Sequence, residues 1–436
     1  MMFARKKSAG PSAPRLSFGV QLALWLGLAV VVAAGTTWLL WFTSGSPDLS
    51  AVPLEAKDRL DLVKVALTVT GGVGAVVALV VAYRKQRFGE VDSVRENTKL
   101  FNERYTKACE QLGSDKSAVR LGGVYAMAGL ADDWAAGRQT CIDVLCSYLR
   151  MPYTPPVDPD AASAAETTVD ADGVAELDAW TVRRDSALAE RQVRHTIIRT
   201  ITTRLRDTAA VSWQGHDLDF SGATFDGGDF RKATFSGGLV DFQGAMFAPG
   251  FVNFQGATFT GGTVDFSGAK FSGGDVNFTH AWFSGGEVRF IGATFASGHV
   301  HFSSAMFAGG QVGFNGAAFS GSVVAFSGAT FLGGDVTFQF ATFSSGLVGF
   351  HGAAFLGGGS VRFSTATFSG GLVAFHGATF TGADVGFLGS TFTGGSVDLS
   401  RPHRYDVPPI FSLDMGTPGV ILLPPSPADR AAVPSP

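Results

Sequence analysis

The sequence predicts a multidomain α plus β chain: two transmembrane helices, a small α-helical region, then a β-helical solenoid of about 7–8 coils. Three observations predict it. Residues 18–42 form an uncharged apolar run, and residues 65–83 form a second. From residue 230 onward, phenylalanines recur at alternating spacings of 5 and 7. The composition agrees, with 57 Gly and 38 Phe but only 6 Tyr among 436 residues. Glycine enrichment without a collagen triplet signals a repeat.

The first run, FGVQLALWLGLAVVVAAGTTWLLWF, extends from Phe18 to Phe42. A helix needs about 20 apolar residues to cross a bilayer, and this run exceeds that. Arg5, Lys6, Lys7 and Arg15 precede it, as they would a signal peptide. The run is too long for one and continues into bulky aromatics after Ala33 and Ala34. The second run, VALTVTGGVGAVVALVVAY, extends from Val65 to Tyr83 and is followed at once by Arg84, Lys85 and Arg87. Its glycines Gly71, Gly72 and Gly74 would permit close helix packing in lipid. Basic residues before the first span and after the second place both termini in the cytoplasm. The expected location is the bacterial plasma membrane, multi-pass, with the lipid bilayer as a partner. The segments are then a basic N-terminus (1–17), span one (18–42), an external loop (43–64) and span two (65–83). Three cysteines, an odd number, fit a reducing compartment.

Residues 84–151 read as a cytoplasmic α-helical region. Val119, Leu121, Val124, Met127 and Leu130 recur at helical spacing, as do Cys141, Ile142, Leu145 and Leu149. Two such stripes pack as an αα-hairpin. Cys141 and Cys146 fall on different faces of their helix, so they suggest neither a disulfide nor a metal pair. Residues 152–180 are rich in Pro, Ala and acids and read as a disordered linker. An amphipathic helix within 181–210 carries Leu188, Val193, Ile197, Ile201 and Leu205 on one side. That stripe is expected to cap the open end of the solenoid. Its other side is basic, with Arg184, Arg191, Arg194, His195 and Arg199, and reads as a solvated face.

Residues 211–400 are the repeat region. One unit is VNFQGATFTGGT (252–263), the next VDFSGAKFSGGD (264–275). Each Phe follows an Ala or a Val by two positions, as in Ala257/Phe259 and Val264/Phe266. Period-two alternation turns both side chains to one face of a short strand. The Gly-rich pieces between make corners.

These A-x-F units resemble the bacterial membrane-anchored pentapeptide-repeat proteins. RLGGVYA (120–126) and VLCSYLR (144–150) are also similar to segments found with such repeats. The resemblance implies a right-handed quadrilateral β-helix. The extra pair in every second unit enlarges the coil at opposite corners, from about 20 to about 24 residues, and a three-faced coil stays open. With four faces, columns begin at Phe230, Phe235, Phe242 and Phe247, and Leu399 closes the first. Residues 401–436 read as a Pro-rich tail whose start covers the last coil. An incompletely covered end would allow a homodimer through the β-helix end.

No phosphate loop, catalytic triad or specific metal spacing appears, so no catalytic, cofactor-binding or metal residue is nominated and no enzyme is expected. His351 and His376 should be outward neighbours on successive coils, beside Ser303, Ser327 and Ser400, which are poor ligands. The expected function is a membrane-tethered cytoplasmic protein-interaction or scaffold module with an unknown protein partner. The alternative, implied by the resemblance, is a DNA-mimic modulator of a type II topoisomerase. Residues 217–399 hold 11 acids and 5 bases, whereas duplex DNA of the expected length carries about 20 charges. No nucleic acid partner is expected.

Overall fold

The structure, a computed structural model, describes residues 56–156, 171–411 and 421–424, with eight helical positions between 27 and 42. The chain divides into two compact units, residues 1–99 and 100–436.

The expected membrane hairpin is not found among the described residues. Among the described residues, no helix is long and apolar enough to cross a membrane. Most of the expected first span, 18–42, lies outside the described residues. The expected second span, 65–83, is not a separate element. It is the interior of helix α1 (Ala56–Leu112), 57 residues long. No proline interrupts α1, and charged residues follow the apolar stretch at Arg84, Lys85, Arg87, Glu90 and Asp92. Without the spans, the basic flanks carry no topological information. The plasma-membrane location, the cytoplasmic termini and the bilayer as partner therefore fall with them. The fold is a β-solenoid of about 8 turns preceded by a small helical region.

That region contains α2 (Ser117–Asp133), α3 (Arg138–Arg150) and α4 (Ala171–Leu205). The predicted stripes meet in its core: Val124, Met127 and Leu130 from α2, Ile142 and Leu145 from α3, Ile197 and Ile201 from α4. Val119, in the first turn of α2, stays exposed. Of the expected linker, residues 157–170 lie outside the described residues, and 171–180 are the first turns of α4.

The solenoid follows from the Phe spacing. A representative coil holds two eight-residue strands, Thr258–Asp265 and Lys270–Asn277. Each pairs in parallel with the next coil, Phe259 opposite Phe283 and Phe271 opposite Phe295. The shorter Phe spacing spans a tight corner. In Phe254–Ala257 the Ala257 N–H donates to the Phe254 carbonyl at 3.0 Å, and Gly256 has φ 64°. This is the left-handed third position of a type II turn. The longer spacing spans a wider corner with a Gly pair. A Cβ on Gly262 would lie 2.4 Å from the carbonyl oxygen of Gly238 on the coil before, so the stacked corners exclude side chains there.

Four phenylalanine columns fill the interior, from Phe230 to Phe375, Phe235 to Phe380, Phe242 to Phe387 and Phe247 to Phe392. Successive rings stack with centroids 4.6–5.0 Å apart. That separation is the strand spacing of about 4.8 Å, so backbone ladder and ring stack share one repeat. Leu399 is fully buried at the foot of the first column. The ladder continues past residue 400: Arg404–Tyr405, Ile410–Phe411 and Ile421–Leu422 each pair with the preceding coil. Phe411 stacks on Phe387 at 4.8 Å. Residues 412–420 and 425–436 of the expected tail lie outside the described residues.

Candidate functional site

Inward positions of the solenoid are alike in every coil, so individuality resides in the outward ones. On the face of the second column, the residues flanking each Phe in the early coils are polar: Thr234 and Ser236, then Thr258 and Thr260. The pattern then breaks. Trp282, Met306, Leu332 and Leu356 are 49%, 42%, 49% and 41% exposed. Met306 pairs directly with Trp282 across adjacent coils. Leu332 and Leu356 follow the paired residues Phe331 and Phe355. Thr379 and Thr381 restore the polar pattern below. Trp282 and Met306 precede their phenylalanines and Leu332 and Leu356 follow theirs, so the apolar residues are two pairs stepped across four coils, with Thr330 next to Met306 in its row.

The face of the third column is polar. Its outward residues form a grid because strand alternation sets the rows and coil pairing sets the columns. Gly313 pairs with Arg289 on one side and Thr337 on the other. Gln311 pairs likewise with Glu287 and Asp335. Ile291, Asn315 and Gln339 make the third row. The central position therefore has no side chain, which leaves a depression of about 200 Å³. Arg289 hydrogen-bonds Glu287 and stands 3.7 Å from Asp265. The hydrogen bond to Glu287 chiefly raises the Arg289 pKa. Asp335 accepts a hydrogen bond from Ser360 and lies 3.8 Å from Arg362.

A buried polar cluster joins α4 to the first coil. Asp226, 3% exposed, accepts from Tyr153 Oη at 2.7 Å and lies 3.1 Å from His195 Nε2. Arg191 Nε is also 3.1 Å from its carboxylate. Burial alone would raise the Asp226 pKa, but hydrogen bonds from His195 and Tyr153 and the charges of His195 and Arg191 outweigh it and hold it low. Burial, then the hydrogen bond to Asp226, raises the Tyr153 pKa. Arg194 lies over the Tyr153 ring at 4.4 Å and donates to the Leu149 and Thr224 carbonyls. Each polar group points at another element, so the cluster fastens the helical region to the solenoid. The Arg204 guanidinium instead ties α4 to α2, holding Asp132, which also accepts from Trp213 Nε1 at 2.9 Å.

His351 and His376 do neighbour each other, with exposed rings stacked at 5.2 Å and 4° from parallel. Among the described residues, no group of three or more His, Cys, Asp or Glu could hold a metal ion. Cys141 and Cys146 are buried, and burial pushes the Cys141 thiol up to about 11. Sequence reasoning missed the apolar pairs and the depression. The usable signals were large apolar residues beside the second-column Phe and Gly313 at an outward position that bears Arg289 and Thr337 in the coils on either side.

A family model described as pentapeptide repeats, nine copies, matches residues 216–258. No curated protein matches the chain. Among solved structures, full-length QnrB1, described as a plasmid-mediated fluoroquinolone resistance protein, is similar at 16% identity. The match covers 33% of this chain and 91% of that one, with a TM-score of 0.12, a superposition too poor to bear on fold or function.

Proposed function

We infer that this pentapeptide-repeat solenoid is a protein-interaction module, with its contact surface on the second-column face. The observation that carries the reading is the exposure of four large apolar residues on one face, the pair Trp282 and Met306 and the stepped pair Leu332 and Leu356. Contiguous exposed apolar surface with a polar rim is the anatomy of a contact patch, and Trp and Met are enriched there. Trp282 is the natural anchor, since a few large aromatic residues carry most of the binding energy of an interface. Trp282 and Met306 stand on paired strands, so no backbone ordering opposes binding there.

The DNA-mimic alternative gains no support from the surface. Asp226, Asp229, Asp265, Asp275, Glu287 and Asp335 each lie against a basic or imidazole group. Such pairing breaks up the continuous negative stripe that a DNA surrogate needs.

The test is proximity crosslinking of the full chain in its own cells, comparing wild type with Trp282→Ala/Leu332→Ser. Loss of a specific crosslinked protein with an unchanged melting temperature supports the reading. An identical crosslinking pattern in the double variant overturns it.

A further inference from the structure

The strand Thr294–His301 carries a second pair of imidazoles. His299 and His301 stand two positions apart, so strand alternation turns both rings to the outer face while Val300 between them is buried. The rings lie within 6° of parallel, with centroids 5.7 Å apart. Metal–nitrogen bonds of about 2.0–2.1 Å put the centres of two imidazoles on one tetrahedral ion roughly 5 Å apart. Small side-chain rotations therefore bring both rings onto a single ion.

The coil above orients the pair. Asp275 pairs with His299, and Asn277 with His301. The Asp275 carboxylate accepts a hydrogen bond from His299 Nδ1 at 2.9 Å. An ionised carboxylate has no proton to give, so Nδ1 carries the hydrogen and the Nε2 lone pair is left for a ligand. A carboxylate behind a ligating imidazole fixes its tautomer and raises its basicity. Among the described residues, the His301 ring has no hydrogen-bond partner, so its nitrogens are uncommitted. The coil below sets Val323 and Ala325 against the pair, which bring no charge. The backbone is held as well: a Cβ on Gly298 would lie 2.4 Å from the Gly274 carbonyl oxygen, so the corner that leads into His299 is packed on the coil above. His351 and His376 lack this arrangement. Their rings come from successive coils, and among the described residues no carboxylate bonds either one.

We propose that His299 and His301 chelate one divalent late-transition-metal ion, Cu²⁺ ahead of Zn²⁺, with Asp275 as the positioning residue and water in the remaining coordination positions. Imidazole suits these ions, and affinity along the divalent series peaks at Cu²⁺. Asp275 bonds a ligand and not the ion, so the centre has fewer protein ligands than a structural zinc site and its ion is exchangeable.

The experiment is calorimetry of the full, untagged chain with Cu²⁺ and with Zn²⁺, joined to electron paramagnetic resonance of the bound Cu²⁺. Cu²⁺ is expected to bind more tightly than Zn²⁺, and its spectrum to show coupling to two nitrogens. His299→Ala and His301→Ala should each weaken binding at least about tenfold and remove one nitrogen from the spectrum. Asp275→Ala should weaken it about tenfold with both nitrogens retained, which a merely structural role would not give. All three side chains are outward, so melting temperatures should not change. The double variant His351→Ala/His376→Ala should bind as the wild type does. No binding of Cu²⁺, undiminished binding by His299→Ala or Asp275→Ala, or a loss confined to the His351→Ala/His376→Ala variant overturns the proposal.

Discussion

Phe338 and Phe363 stack with centroids 4.7 Å apart and planes 5° from parallel, although the chain between them is longer than the chain between Phe314 and Phe338 by a single glycine. The addition is taken up at the wide corner Gly357–Gly359, and pairing is already restored at Asp335 with Ser360. Deleting Gly357 should therefore change stability by less than about 1 kcal/mol. Deleting Gln255, within a tight corner, shifts the following strand by one position and turns its inward side chains outward. That variant should fail to fold. Thermal unfolding followed by circular dichroism distinguishes the two.

The tight corners place Lys232, His280, Ser304, Phe340 and Thr365 at positive φ, where glycine occupies the equivalent position in other coils. Thr365 is the most strained because its side chain is β-branched. Thr365→Gly should raise stability by about 1 kcal/mol, relief of strain exceeding the added chain entropy. Gly328→Thr should lower it by about 1–2 kcal/mol. Urea midpoints at constant m-value provide the check.

Phe302 is fully buried, stacked at 4.9 Å on Phe278 and 4.8 Å on Phe326. Phe302→Ala leaves a cavity walled by rigid ladders that cannot collapse inward, and should cost about 3–5 kcal/mol. A loss under about 1 kcal/mol would mean that the columns are not the source of stability.

Asp226 titrates below the ordinary carboxylate range in the folded chain. Between that value and the unfolded value of about 3.9, the unfolded state holds more protons, so stability rises with pH. The contribution is complete above the unfolded value and is lost as pH falls through the lowered folded one. Acid should thus loosen α4 from the first coil. Asp226→Asn should flatten the dependence of melting temperature on pH below about 4, which a pH series of melts would show.

The inward half of the solenoid was legible in the sequence because one spacing rule governs it. An Ala or Val two positions before Phe has a single reading once the period is two, and 5/7 spacing has a single reading as alternating corners. Outward residues obey no such rule, so Trp282 and Met306 looked like ordinary variation until pairing put them side by side. Gly313 was harder still, since an empty position matters only when all its neighbours are known. Tyr153 stood in a Pro-rich stretch that composition marks as disordered, and its partner Asp226 is far along the chain, in the first coil. The apolar run at 65–83 misled because hydropathy describes a window, whereas the helix that contains it extends from Ala56 to Leu112. Arg404–Tyr405 and Ile410–Phe411 lack the Ala-x-Phe signature, so their pairing with the last regular coil was not visible.

The wide corner at Gly357–Gly359 also bears on inheritance. Because it takes up one residue without moving the coils beyond it, gains of genetic material that land in such corners leave every later ring in its column. An ancestor could therefore lengthen this wall by copying a whole turn, and small errors at the seams of the copy would be tolerated. Selection could then act on the outer surface of each new turn while the interior stayed the same.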